Sequence, residues 1–338
     1  MEELISLMNV LSTSGHESAI RSYLMKKIKP YCKDMQVDKF GNLIVHKKGK
    51  GQSVMLVAHM DEVGLMVNKI NVDGTLKISP IGGIDTLACL NQKVLIPVNG
   101  KKTIMGIIST SKLSSGETIT ELPKKEDLFV DTGLSKIELQ KIGVEVGTFV
   151  EFEKRAHYLG SKDYIMGKAA DDRVGCFILL ELIKKVKKYP GEIYFVFTVQ
   201  EEVGLYGAKT SVYNLNPEWA LVIDVLDAND IGGDMTRALG KGPVLSIMDS
   251  QTLSNSCLNN NIKDIAKKKK LGLQPGVSDF GTTDALYISL SKGGIPTTVL
   301  GVPVRNVHSG IGIVNSKDIL SGITIIDELL KHPPKICL

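Results

Sequence analysis

Acid and imidazole side chains in this chain stand directly after apolar runs, a position where an unpaired carboxylate must be neutralised, hydrogen-bonded or bound to a metal. AHMDEVG carries His59, Asp61 and Glu62, and TVQEEVG carries Glu201 and Glu202. VIDV ends a further run with Asp224, VPVRNVHSG supplies His308, and KAADDRVG opens a helical pattern with Asp171 and Asp172. Two imidazoles with several carboxylates suit zinc, cobalt or manganese in a paired site, where one carboxylate bridges two ions. Ions about 3.5–4 Å apart acidify a water and polarise a carbonyl together. Successive residues of an extended chain point apart, so Glu201 and Glu202 have different tasks: one ligates a metal and the other serves as a base. The spacing His-x-Asp places Asp61 on the same side as His59, where it can hold the imidazole in one tautomer.

Parallel strands must deliver these groups, because ligands in α/β sheets gather beyond the carboxyl ends of the strands. Apolar runs at 53–58, 193–199, 220–225 and 296–302 have the character of buried strands. Helical spacing lies between and around them, at HESAIRSYLMKKI near the start and at 172–187, 282–291 and 316–331. The expected fold class is α/β, a mixed or parallel central sheet flanked by helices. Residues 66–158 differ: short β-rich pieces such as LKISPIGG and KTIMGIIST are punctuated by Gly, Pro and Asn. They predict a small β-barrel or β-sandwich inserted between the two parts of the catalytic domain, 1–65 and 159–338. Exposed strand edges in such an insert would need a cover or a partner. Within it, KLSSGETITELPKK predicts a mobile loop.

Composition narrows the function classes. With 43% hydrophobic and 23% charged residues the chain is ordinary globular protein, and a net charge of +4 with dispersed basic residues excludes a nucleic-acid footprint. The run Lys267-Lys268-Lys269-Lys270 reads as a solvated helix face or loop. The five cysteines form no CxxC pair and fit a reducing compartment. No apolar stretch reaches membrane-span length, and the first residues lack a signal-peptide pattern, so a cytoplasmic protein without membrane contact is expected. Of the six histidines, His16, His46, His157 and His332 follow no strand run with acids beside it and read as ordinary residues.

The order AHMDEVG, KAADDRVG, VQEEVG, VIDV and VPVRNVHSG resembles the glutamyl-aminopeptidase and TET aminopeptidase family of dinuclear metallopeptidases, which includes proteins once described as endoglucanases. The likeness extends through EDLFVDTGLSKIELQKIGVEVG and GTTDALYISLSKGGIPTTVLGVP, nearly the whole chain. The resemblance implies a zinc-peptidase-like catalytic domain in which Asp171 bridges two divalent ions, His59 and Asp224 complete one coordination sphere, and Glu202 and His308 complete the other. It implies Glu201 as general base, Asp61 as the group orienting His59, and Asp172 behind the ligands; Glu62 alone among these acids is given no such task and reads as an ordinary surface or supporting residue. It implies a metal-dependent aminopeptidase releasing N-terminal residues from short peptides by attack of a metal-bridging hydroxide, with zinc or cobalt ahead of manganese. A homo-oligomer, commonly a tetrahedral dodecamer, comes with it. The alternatives are a related dinuclear amide hydrolase, such as a deacylase or carboxypeptidase, and a non-catalytic metal-containing assembly. Two loops depart from the family: Ser-Gly-Ile-Gly-Ile-Val follows His308, and VLDANDIGGD follows Asp224.

Overall fold

The computed structural model describes residues 1–336 except residues 100, 101, 119, 154, 188 and 234. Ile119 of the polar loop, Asp234 in the stretch after Asp224, and Cys337 therefore lie outside the described residues.

Strands Glu192–Thr198, Ser53–His59, Trp219–Asp227 and Thr297–Arg305 lie side by side and parallel at the centre of an 11-stranded sheet. Antiparallel strands extend it on both flanks, Leu43–Lys47 beside the first and Val244–Met248 and Gly312–Asn315 beside the last. The mixed sheet matches the expected class. The central strands are apolar on both faces because both are covered. Val54, Leu56, Phe195, Trp219 and Leu221 pack against the face that also holds buried residues of helices Ser18–Ile28, Ala170–Lys185 and Ser316–Lys331. Met55, Val57, Val196 and Val222 pack on the other face with residues of Tyr206–Asn214 and Ala285–Ser289.

Register decides where the chemistry emerges. Thr198 pairs with His59, and Val222 pairs with Val57, which brings Asp224 level with His59 at the carboxyl edge. Helix Ser316–Lys331 begins where Asn315 accepts a hydrogen bond from the Lys317 amide, and it buries Ile319, Ile323, Ile326 and Leu330. Lys267, Lys268 and Lys269 fall in the last turn of helix Ser256–Lys269 and Lys270 caps its end; all are exposed, where cations complement the negative end of the helix dipole.

The insert is a closed barrel of antiparallel strands in the order Gly64–Ile70, Leu76–Ile81, Leu128–Asp131, Thr103–Thr110, Lys93–Pro97, Phe149–Phe152. Closure corrects the expectation of exposed strand edges, since each barrel strand has a neighbour on both sides. What the barrel does expose is apolar surface, with Met105, Ile107, Leu87 and Leu122 all open to solvent. The polar stretch within it opens with helix Ser111–Ser115, capped by the Thr110 hydroxyl accepting from the Leu113 amide. The strands His157–Leu159 and Ser161–Gly167 that follow already belong to the large sheet.

At the junction of barrel and sheet sits a buried ion cluster. Lys168 donates to both oxygens of Glu62 at 2.5 and 2.8 Å, Arg173 Nη2 approaches Glu62 Oε1 at 3.4 Å, and the Ser12 amide donates to Oε1 at 3.1 Å. Glu62 is thus a buried lock, not a surface residue. It ties the N-terminal segment, the chain between the His59 strand and the first barrel strand, and the start of helix Ala170–Lys185. Three of the cysteines, Cys32, Cys89 and Cys176, are free thiols, while Cys257 is disulfide-bonded, a departure from an all-thiol chain.

Glu62→Ala would leave the buried cations of Lys168 and Arg173 without their carboxylate and lower stability by about 3–5 kcal/mol. Urea unfolding followed by tryptophan fluorescence checks this through Trp219, and a loss under about 1 kcal/mol would show that the cluster is not a lock.

Candidate metal centre

His59 is the last residue of its strand and almost fully buried. Its Nε2 lies 2.9 Å from Asp171 Oδ1, 3.9 Å from Asp224 Oδ1 and 4.0 Å from Glu201 Oε2. Its Nδ1 faces Asp61 Oδ1 at 3.5 Å. On the opposite side, His308 Nε2 lies 3.4 Å from Asp171 Oδ2 and 3.3 Å from Glu202 Oε2. The two oxygens of Asp171 therefore face different imidazoles.

Backbone conformation positions these groups. Glu201 and Glu202 sit in a turn after strand Glu192–Thr198, where Gln200 takes a left-handed conformation with φ 55°. Asp61 fixes that turn: Oδ1 accepts from the Glu201 amide at 3.1 Å, and Oδ2 accepts from the Glu202 amide at 3.2 Å and the Ser14 hydroxyl at 2.6 Å. Asp171 and Asp172 depart from helical dihedrals, and regular helix begins after them. Asp172 caps it, with Oδ1 accepting from the Gly175 amide at 2.8 Å. Gly175 is required there, because a Cβ would stand 2.3 Å from Asp172 Oδ2.

The residues singled out in the sequence converge. His59, Asp171 and Glu202 form one group whose ligand atoms lie within 4.8 Å of one another, and His59, Asp172 and Asp224 form a second. His308 joins the first through its contacts with Asp171 and Glu202. Asp172, placed behind the ligands by the resemblance, stands with His59 and Asp224. Sequence reasoning also passed over Asp284, whose Oδ2 accepts from the Thr198 hydroxyl at 2.6 Å. Its place in GTTDALY, just ahead of a helix, was the available signal.

The donor set fits cations. Asp172 Oδ2, Glu202 Oε1 and Asp284 Oδ1 are buried without a hydrogen-bond partner, a costly condition for carboxylate oxygens. Burial, then repulsion from neighbouring carboxylates, pushes Asp172 and Glu202 above the usual range, and pushes Asp284 to about 6. Glu201 is raised well above its usual range by burial, against the opposing pull of His59 and with added repulsion from Asp224 and Glu202. His308 is driven up to about 11 by its contacts with Asp171 and Glu202. Both kinds of shift express surplus negative charge. The Cys176 thiol contributes no ligand: it donates to the His59 carbonyl at 3.1 Å, and burial pushes its pKa up.

The centre lies in a cleft of about 510 Å³. Glycines of the barrel close one wall: a Cβ on Gly83 would meet His308 Nδ1 at 3.3 Å, and one on Gly82 would meet Glu202 Cβ at 3.3 Å. Of the other histidines, His16 stacks on Phe149 and approaches Glu151, while His46 stacks on Tyr194 and approaches Glu192. Neither enters the cleft.

The family model described as M42 glutamyl aminopeptidase matches residues 41–325. The lysyl aminopeptidase of Pyrococcus furiosus is 31% identical, over 94% of this chain and 93% of its own. An aminopeptidase from the archaeon Desulfurococcus kamchatkensis superposes with a TM-score of 0.94 at 32% identity, covering 98% of this chain and 94% of that one. The TET1 peptidase of Pyrococcus horikoshii, which assembles into a tetrahedron or a large octahedral shell, superposes with a TM-score of 0.88 at 32% identity, covering 98% and 99%. With the model spanning most of its length, the chain belongs to the M42 glutamyl aminopeptidase family.

Proposed function

We propose that this chain is a metal-dependent aminopeptidase that releases N-terminal residues from short peptides. The observation that carries the reading is the convergence of His59, Asp171 and Glu202, and of His59, Asp172 and Asp224, with His59, Asp171, Glu202, Asp224 and Glu201 all lining one cleft. His59, Asp171 and Asp224 would hold one divalent ion, with Asp172 beside them, and Asp171, Glu202 and His308 would hold a second. Imidazole and carboxylate donors without thiolate favour zinc or cobalt ahead of manganese. Such ions, when bound, acidify a water and polarise the scissile carbonyl.

The chain's own groups do the rest. Glu201 stands outside both ligand groups, 4.0 Å from His59 Nε2, and burial favours its uptake of a proton. It takes a proton from the attacking water and passes it to the departing amine nitrogen. Asp61 holds the imidazole of His59 from its Nδ1 side and carries the turn bearing Glu201, so it acts as a positioning group.

The insert, residues 66–158, serves as an assembly module and lid over the centre. Its exposed Met105 and Ile107 support a homo-oligomer, and the tetrahedral assembly of the Pyrococcus horikoshii relative supports a dodecamer. Among the described residues no helix is long and apolar enough to cross a membrane. Three free thiols, set against one disulfide-bonded cysteine, Cys257, support a cytoplasmic setting.

Glu201→Gln is expected to retain its metal, read by elemental analysis, while kcat on an aminoacyl anilide falls about 10²–10⁴-fold. Undiminished turnover would remove Glu201 from the role of base. Stripping with a chelator should abolish activity, zinc or cobalt should restore it, and Asp171→Asn should prevent the restoration. Light scattering on a sizing column should give a mass many times the 36.7 kDa of one chain, reduced by Met105→Glu with Ile107→Glu. A single-chain mass for the parent protein would refute the assembly.

A further inference from the structure

Side-chain oxygens hold the turn that carries Glu201. Four successive amides each donate to one: Val199 to Asn42 Oδ1 at 3.1 Å, Gln200 to Glu17 Oε1 at 3.2 Å, and Glu201 and Glu202 to the two oxygens of Asp61. The chain leaves its strand here through the left-handed Gln200, where no sheet ladder guides it, so these acceptors set its course. Asn42 and Asp61 come from beside neighbouring strands of the sheet. Glu17 comes from the N-terminal segment, far away along the chain.

Glu17 stands where a helix cap is expected and does not act as one. It occupies the N-cap of helix Ser18–Ile28, yet its side chain makes no capping bond, and the Ile20 amide donates instead to the Ser12 hydroxyl at 3.3 Å. The carboxylate is almost fully buried and, among the described residues, no lysine, arginine or histidine bonds to it. Such a group is costly unless donors meet it. Here a single oxygen, Oε1, accepts from the Gly15 amide at 2.6 Å and from the Gln200 amide. The segment around it is fastened as well: the Ser14 amide donates to the Glu62 carbonyl at 3.1 Å, and the His16 ring stacks on Phe149 of the barrel with centroids 4.8 Å apart.

We infer that Glu17 is a positioning residue for the general base: by holding the Gln200 amide, it fixes where the Glu201 carboxylate stands. The inference rests on the aminopeptidase reading above. Glu17 does not line the cleft, so it acts on the reaction through the turn alone. Its task needs one acceptor oxygen at one reach. A glutamine supplies that oxygen without the charge, whereas an aspartate keeps the charge and ends a methylene short. Small displacements of a reacting group are expensive in rate, so the length of this side chain matters more than its ionisation.

The test measures kcat of the metal-loaded protein on an aminoacyl anilide for Glu17→Ala, Glu17→Asp and Glu17→Gln, each alone and combined with Glu201→Gln. Glu17→Ala should lower kcat about 10–10²-fold at unchanged metal content, and Glu17→Asp nearly as much. Glu17→Gln should stay within about threefold of the parent, since its oxygen still accepts from both amides. In the Glu201→Gln background, where no base remains to be placed, the Glu17→Ala loss should shrink below about twofold. A general weakening of the fold would lower both backgrounds alike. Equal losses in the two backgrounds overturn the inference and leave the aminopeptidase reading intact, as does a Glu17→Gln variant no better than Glu17→Asp. That last comparison decides the matter even where Glu17→Ala does not fold. If the parent cleaves no anilide and no dipeptide with any of the metals, the aminopeptidase reading falls and the inference falls with it.

Discussion

The candidate metal centre hangs on one buried carboxylate. Asp61 lies opposite His59 Nδ1 and accepts hydrogen bonds from the amides of Glu201 and Glu202 and from the hydroxyl of Ser14. It joins the N-terminal segment, the end of one central strand and the turn beyond its neighbour. Burial alone would push its pKa up, yet the facing His59 imidazole and hydrogen bonds from the Ser14 hydroxyl and the Glu201 amide hold it below the usual range. The charge persists because the fold surrounds it with donors. An asparagine in its place would keep the shape and lose the ability to accept at both oxygens. Few single atoms in the chain organise so much.

The groups around it are arranged in the opposite sense. Asp172, Glu201 and Glu202 are buried among other acids, and three carboxylate oxygens in the region lack a partner. A stable core would avoid such crowding, so the local arrangement makes physical sense with cations present. Asp172 illustrates how one residue meets two needs. One oxygen caps a helix through the Gly175 amide, and the carboxylate also groups with His59 and Asp224. The same carboxylate starts the helix and adds negative charge to the centre.

Much of this was legible in the sequence because parallel strands leave a strong mark. Runs such as 53–58 and 220–225 are apolar at successive residues, which only strands covered on both faces require, and the polar residue ending each run marks the carboxyl edge. Helix Ser316–Lys331 could be read from its spacing, whereas Ser256–Lys269 was overlooked because its polar residues outweigh its buried stripe of Leu258, Ile262 and Ala266. Closure of the barrel could not be read, since pairing between Gly64–Ile70 and Phe149–Phe152 joins segments remote along the chain. Nor could the role of Glu62, whose partners Lys168 and Arg173 lie more than a hundred residues away and leave no local pattern. At the candidate centre, residue types and order were readable, but the distances that add Asp172 beside His59 come from a bend in the backbone that spacing does not encode.

The barrel does more than decorate the catalytic unit. Gly82 and Gly83 reach the edge of the centre so closely that any side chain there would press on Glu202 or His308. The fit ties the two modules in their descent: an insert exchanged wholesale for that of a distant cousin would bring a foreign wall to the chemistry. Divergence in the outer module is therefore free at its far end and constrained at this one. Variation in how such chains assemble can accumulate over evolutionary time without disturbing what they catalyse, provided that this small glycine corner is inherited intact.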